Sequence, residues 1–322
     1  MIWLIQDPKE SFLFSLVDEG YDVWITNNRG NYFSFEHIDM DKYDYFNRSS
    51  DYHKYSWDEM AKYDLSANVD YVLDHSHFSK LFYIGHSQGT TQFFAAANVV
   101  PGLQEKIFGF VGMAPIMYVG NITNPFVKGL IHSPLPKILR KFNVYNLGDL
   151  PDMLHSIFRR FAINFRHFFW RTVGLFLGID QEIRADTSIL PVYAHFAPCG
   201  TSLFNLLHWE QAIVSGEFQM FDYGSKEENI RNYGQATPLP YNTQLIAQVF
   251  STFPSLLLAG QNEELITPKD LLRLEQLLQP SGVEIIKLRN YSHADYLLAK
   301  NSKEMVNTPV IQFLKAHTTR FE

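Results

Sequence analysis

The stretch Lys80-Leu81-Phe82-Tyr83-Ile84-Gly85-His86-Ser87-Gln88-Gly89-Thr90-Thr91 restricts the fold more than any other part of the chain. Its apolar run, rich in aromatic and β-branched residues, reads as a buried strand, and the segment from Gln92 to Val99 reads as a helix. Between them lies Gly-x-Ser-x-Gly, the sequence of a sharp turn that presents a serine at the C-terminal edge of a sheet. In that geometry the Ser87 hydroxyl is exposed, and the N–H of Gln88 is aimed at the same point in space. Ser87 is therefore the candidate nucleophile and Gln88 the candidate oxyanion donor. Gly85 and Gly89 fit a turn so tight that a Cβ at either place is expected to collide with the neighbouring strand or helix.

The flanking sequence repeats the alternation of strands and helices. Ser11 to Glu19 reads as a helix with Phe12, Leu13, Leu16 and Val17 on its apolar face, and Tyr21 to Ile25 as a strand. Residues 32–55 are polar and aromatic without clear periodicity and read as loop. Ser56 and Glu59 form a capping box that opens a helix, with Met60, Leu65, Val69 and Val72 continuing its apolar stripe. Ile107 to Ala114 is a second buried strand closed by Pro115. Strands alternating with helices imply an α/β fold, a mainly parallel sheet with helices on both faces.

That rhythm fails from Ile116 to Tyr241 and returns with a strand at 254–260, a helix at 268–278, a strand at 283–288 and a last helix at about 308–316. The chain thus divides into a core of residues 1–115 and 242–322 and an inserted, mostly helical cap of residues 116–241. The cap contains the run from Ile157 to Arg171, where arginines interrupt an aromatic stretch and leave no membrane span of about 20 apolar residues. It fits either a core-facing helix with basic residues outside or an aromatic and basic surface that meets a lipid interface.

A serine hydroxyl needs a base to take its proton, and the base needs a carboxylate to fix its tautomer. In a Gly-x-Ser-x-Gly α/β enzyme these follow in the order Ser, acid, His, each in a loop after a later strand. Of the 12 histidines, His293 lies directly after the last strand and is the candidate base. His317 falls inside or beyond the terminal helix, where a solvated histidine is the simpler reading. The acid should follow the strand at 254–260, in Gly260-Gln261-Asn262-Glu263-Glu264-Leu265. Glu263 and Glu264 both qualify and Glu263 is favoured, whereas Asp270 is already helical.

Composition removes other classes. A net charge of −7 and a pI of about 5.9 give no footprint for nucleic acid. The single cysteine, Cys199, permits no internal disulfide. No His/Cys/Asp cluster has ligand spacing, so neither metal nor organic cofactor is expected. The first residues have no basic region and only a short apolar run, unlike a signal peptide. Sequons at Asn47, Asn121 and Asn290 are nonetheless available to a secretory glycoprotein.

Beyond these local signals, the chain resembles the acid lipases, the family of gastric lipase and lysosomal acid lipase. The resemblance rests on Gly20-Tyr21-Asp22-Val23-Trp24, Asn28-Arg29-Gly30-Asn31, Ser56 to Leu65 and Gly85-His86-Ser87-Gln88-Gly89-Thr90. It continues through Ala197-Pro198-Cys199-Gly200-Thr201-Ser202, His208-Trp209, Phe221-Asp222-Tyr223-Gly224 and Tyr291-Ser292-His293-Ala294-Asp295. It implies an α/β-hydrolase that cleaves neutral-lipid esters at a lipid–water interface through a serine acyl-enzyme, in a secreted or lysosomal setting.

Ser87 and His293 match the family's nucleophile and base, and Glu263 stands where the family has an aspartate. Several members carry a cap disulfide that this chain cannot make. About three strands, the family's His-Gly-Leu oxyanion loop and the secretory signal are expected to precede residue 1. Two other readings go with these departures, a catalytically weak or inactive lipid-binding relative and an esterase for short soluble esters.

Overall fold

The computed structural model describes residues 2–4, 6–39, 51–147, 152–166, 168, 171, 172, 174 and 199–318. The loop at 40–50 with the Asn47 sequon, and residues 197–198 of the cap motif, lie outside the described residues.

Helix α1 covers Phe12–Asp18 and buries Phe12, Leu13 and Leu16, while Val17, expected on the same face, is exposed. Helix α2 runs over residues 57–76, opening at Ser56 with both halves of the capping box formed. Its second segment, Met60–Leu65, is a π-turn. That wider turn places residues five apart on one face, so Met60 and Leu65 join Val69 and Val72 in a single buried stripe.

Strand β1, Leu81–His86, is followed at the elbow by helix α3, Gln88–Val99, and then by strand β2, Ile107–Met113. Between β2 and the return of the sheet, α4 spans Asp152–Asn164 and α5 spans Leu203–Ser215. The core resumes with α6 at Thr243–Phe250, β3 at Ser255–Gly260, α7 at Pro268–Leu278, β4 at Glu284–Leu288 and α8 at Thr308–Thr318.

The main sheet has the order β1-β2-β3-β4, and every pairing in it is parallel. Its centre is dry: β3 is buried along its whole length and β2 nearly so. Phe93 and Phe94 of α3 pack with Phe110 of β2 and Phe250 of α6, with ring centroids 4.5 to 5.8 Å apart. Because the four strands run the same way, the loops that leave their C-terminal ends gather along one edge of the sheet, where α/β proteins bind ligands.

Two strand expectations are corrected. Residues 21–25 are not part of any sheet, because no described strand lies beside them to complete a ladder. Leu81 to Ile84 are half-buried rather than buried, because β1 is an edge strand among the described residues.

The chain that leaves β2 is tied at once to the loop after β3. Glu264 accepts the Thr123 N–H at 2.8 Å through its carbonyl and the Asn124 Nδ2 at 2.8 Å through its carboxylate. In α4, Ile157, Phe161 and Ile163 are exposed while Ala162 is buried, and Phe165, just past its end, is exposed as well. No described helix is long and apolar enough to cross a membrane.

Candidate active site

Ser87 terminates β1 with φ 55° and ψ −123°, a region that side-chain-bearing residues rarely occupy. The elbow is held in several ways. The Ser87 N–H donates to the Met113 carbonyl at 3.0 Å, and the Ser87 carbonyl accepts from the Thr90 N–H at 2.9 Å and the Thr90 hydroxyl at 2.7 Å.

Gly85 meets the steric expectation, since a Cβ there would lie 3.0 Å from the Gly89 backbone carbon. Gly89 does not. A Cβ there would find only the Tyr83 hydroxyl, at an ordinary 3.8 Å, because the helix has already turned away from the strand. As the first residue of α3, Gln88 has a backbone N–H with no partner in the preceding turn, so it is free to meet an oxyanion beside Ser87.

The loops after β3 and β4 bring two more side chains to the serine. His293 Nε2 is 2.7 Å from Ser87 Oγ, and His293 Nδ1 is 3.1 Å from Glu263 Oε2. The carboxylate can only accept, so Nδ1 carries the imidazole proton and Nε2 is left to accept from the serine. Glu263 is almost wholly buried and His293 nearly so, which strengthens their interaction by excluding water. The second oxygen, Glu263 Oε1, accepts from the Tyr296 hydroxyl at 3.1 Å.

The other candidates face elsewhere. Glu264 holds the cap strap. Asp270 accepts from Asn121 at the backbone N, 3.0 Å, and at Nδ2, 2.7 Å, which also gives the side chain of that sequon a structural role. His317 lies within α8, where its Nδ1 meets the Phe313 carbonyl at 2.8 Å.

Several side chains around the three were not singled out by the sequence. The half-buried His86 donates from Nε2 to the His293 carbonyl at 2.8 Å. Burial, and secondly the proximity of His293, push His86 down to about 3, so it remains a neutral donor. The Gln88 side chain is gripped from both sides. Its Oε1 accepts from Asn205 Nδ2 at 2.9 Å and from Trp209 Nε1 at 2.8 Å, both on α5, and its Nε2 donates to Met60 Sδ at 3.2 Å.

Behind this clamp a polar cluster joins α2 to α5 and to residues 219–241. Asp58 accepts the Phe221 N–H at 2.8 Å and the Tyr241 hydroxyl, and His208 Nδ1 lies 3.9 Å away. Burial raises Asp58 to about 6 against the pull of those donors, and burial lowers His208 to about 3. His208 stacks on Trp57 with 3.5 Å between ring centroids and donates from Nε2 to the Gln219 carbonyl. Among the described residues no cluster of His, Cys, Asp and Glu side chains could hold a metal ion.

A parallel sheet with a serine elbow, and a histidine and carboxylate returned from later strands, defines an α/β-hydrolase. The family model for the alpha/beta hydrolase fold matches residues 7–299, and the chain belongs to that family. Its similarity to named relatives is more specific. It is 33% identical to lipase member K of Mus musculus over 97% of this chain and 76% of that protein. It is 33% identical to the gastric triacylglycerol lipase of Bos taurus over 97% of this chain and 76% of that protein, and 31% identical to the human one over the same shares. The chain is a member of the acid lipase family, a serine carboxylic ester hydrolase.

Proposed function

We propose that the chain hydrolyses acyl esters of neutral lipids, such as triacylglycerol or cholesteryl ester, with Ser87, His293 and Glu263 as its catalytic triad. The reading is carried by the 2.7 Å contact of Ser87 Oγ with His293 Nε2, continued at 3.1 Å from Nδ1 to Glu263. Ser87 Oγ attacks the carbonyl carbon while Nε2 takes its proton, and the Gln88 N–H meets the oxygen that becomes negative. His293 returns the proton to the leaving alcohol, and water attacks the acyl-enzyme by the same relay.

Residues 116–241 form the cap over this site. Exposed Leu135, Ile138, Phe142, Ile157, Phe161 and Phe165 give it an apolar surface suited to a lipid–water interface, and the family setting is secreted or lysosomal. The similarity to gastric triacylglycerol lipases supports this choice of substrate class.

The test is labelling with a fluorophosphonate probe together with turnover of emulsified tributyrin and dissolved p-nitrophenyl acetate. The wild type should label and prefer the emulsion, and Ser87→Ala should do neither. Lipid binding without labelling would point to a non-catalytic relative, and preference for the dissolved ester to a soluble esterase.

A further inference from the structure

We infer that Tyr296 is a positioning residue for the triad, the side chain through which this chain holds a glutamate in the place of its acid. The inference rests on the triad reading above and adds to it the group that fixes Glu263. A glutamate has one more rotatable bond than an aspartate and reaches farther by about a C–C bond, roughly 1.5 Å. Its carboxylate therefore needs a second anchor if one oxygen is to stay on His293.

Tyr296 provides that anchor with a fixed direction. Its hydroxyl accepts the N–H of Gly260, the last residue of β3, at 2.5 Å, which leaves its single proton for Glu263 Oε1 at 3.1 Å. The ring is fully buried, and burial, followed by the charge of Glu263, holds the phenol well above its ordinary range, so it stays a neutral donor. Each carboxylate oxygen then has its own donor, Tyr296 on Oε1 and His293 on Oε2.

Both donors belong to one short stretch. Asp295 Oδ2 accepts the Ser292 N–H at 2.7 Å, closing the turn that carries His293 into the short helix Asp295–Leu298. The acid loop is stitched to the same stretch by the Asn262 N–H on the Tyr291 carbonyl at 3.1 Å. Gly260 permits this approach: a Cβ there would lie 2.2 Å from the Tyr291 oxygen and 3.0 Å from the Tyr296 hydroxyl. The base and the anchor of the acid thus form one unit that meets Glu263 from two sides.

The experiment measures kcat and KM on p-nitrophenyl butyrate for the full chain and its Tyr296→Phe, Glu263→Gln, Glu263→Asp and doubly substituted Tyr296→Phe/Glu263→Gln variants. Fluorophosphonate labelling of the wild type at Ser87 serves as the control. Tyr296→Phe should lower kcat by about 10- to 100-fold with KM within about twofold, as a misplaced catalytic group does. In the Glu263→Gln background the same change should add less than about a twofold loss, because the hydroxyl acts through the carboxylate.

Glu263→Asp, which keeps the charge but withdraws it from one of its two donors, should also lose at least about tenfold. An equal loss in both backgrounds would show a merely structural tyrosine and overturn the inference. So would a fully active Glu263→Asp, which decides alone if Tyr296→Phe does not fold. A wild type that does not label at Ser87 overturns the triad reading and this inference together. Labelling with an unaffected Tyr296→Phe overturns the inference only.

Discussion

Ser87 is the most strained residue the mechanism uses. Its φ of 55° with ψ −123° lies in a region that costs a residue with a side chain on the order of 1–3 kcal/mol, and the surrounding hydrogen bonds hold it there. Alanine at this position keeps the Cβ and the strain, whereas glycine removes both. Ser87→Gly should therefore be more stable than Ser87→Ala by about 1 kcal/mol in urea unfolding, the reverse of their order in an ordinary helix, with neither variant active.

His86 poses a separate test at the same scale. Its only assigned task is to hold the His293 carbonyl at 2.8 Å, so His86→Ala should slow both turnover and fluorophosphonate labelling by about tenfold while leaving the ester's KM near its wild-type value.

At the scale of elements, α5 does more than roof the site. Asn205 and Trp209 both donate to Gln88 Oε1, so α5 grips the residue whose backbone N–H is the proposed oxyanion donor. Removing both donors, by Asn205→Ala with Trp209→Phe, leaves a buried carbonyl unpaired, an effect of about 1–3 kcal/mol. Turnover of tributyrin should fall at least tenfold, more than either single change produces, in a direct comparison of initial rates.

The elements themselves were largely legible in the sequence. The elbow, the capping box at Ser56 and the strands at 107–113, 255–260 and 284–288 all rest on short-range patterns that their own residues complete. Long-range outcomes were less so. Residues 21–25 have the composition of a strand, but a strand exists only beside another, and none of the described strands lies next to them. Likewise Glu263 turns inward to His293 while the next residue, Glu264, turns to Asn124. Composition treats the two alike, and only the loop's backbone separates them. Tyr296 and Asn205 carry no motif of their own, and His86 enters the elbow motif only as its unspecified position. Their roles arise from contacts with residues 33 to 207 positions away, 117 in the case of Asn205.

At the scale of the whole molecule, the cap and core meet at Asp58. Its carboxyl, near 3.8 in the unfolded chain, is raised by burial to about 6 when folded, so the folded state holds an extra proton between those values. The stability from this group is complete below about 4 and is lost as pH rises through about 6. Glu59, raised by burial next to it, acts in the same direction, while His208, lowered by burial, acts in the opposite one and loses stability as pH falls. Because other groups cancel in the comparison, the stability of wild type relative to Asp58→Asn should decline between pH 4 and pH 6 and level off above it, as read from thermal unfolding at each pH.

The Trp57–His208 stack gives that seam an optical signature. A protonated imidazole quenches indole emission more strongly than a neutral one, and the two rings lie 3.5 Å apart, centroid to centroid. While the cap is seated, His208 stays neutral down to about pH 3 and Trp57 emits from a dry site. If the cap lifts, the indole becomes wet and its emission moves to the red. The difference spectrum between wild type and Trp57→Phe thus reports cap seating in real time, without any attached dye.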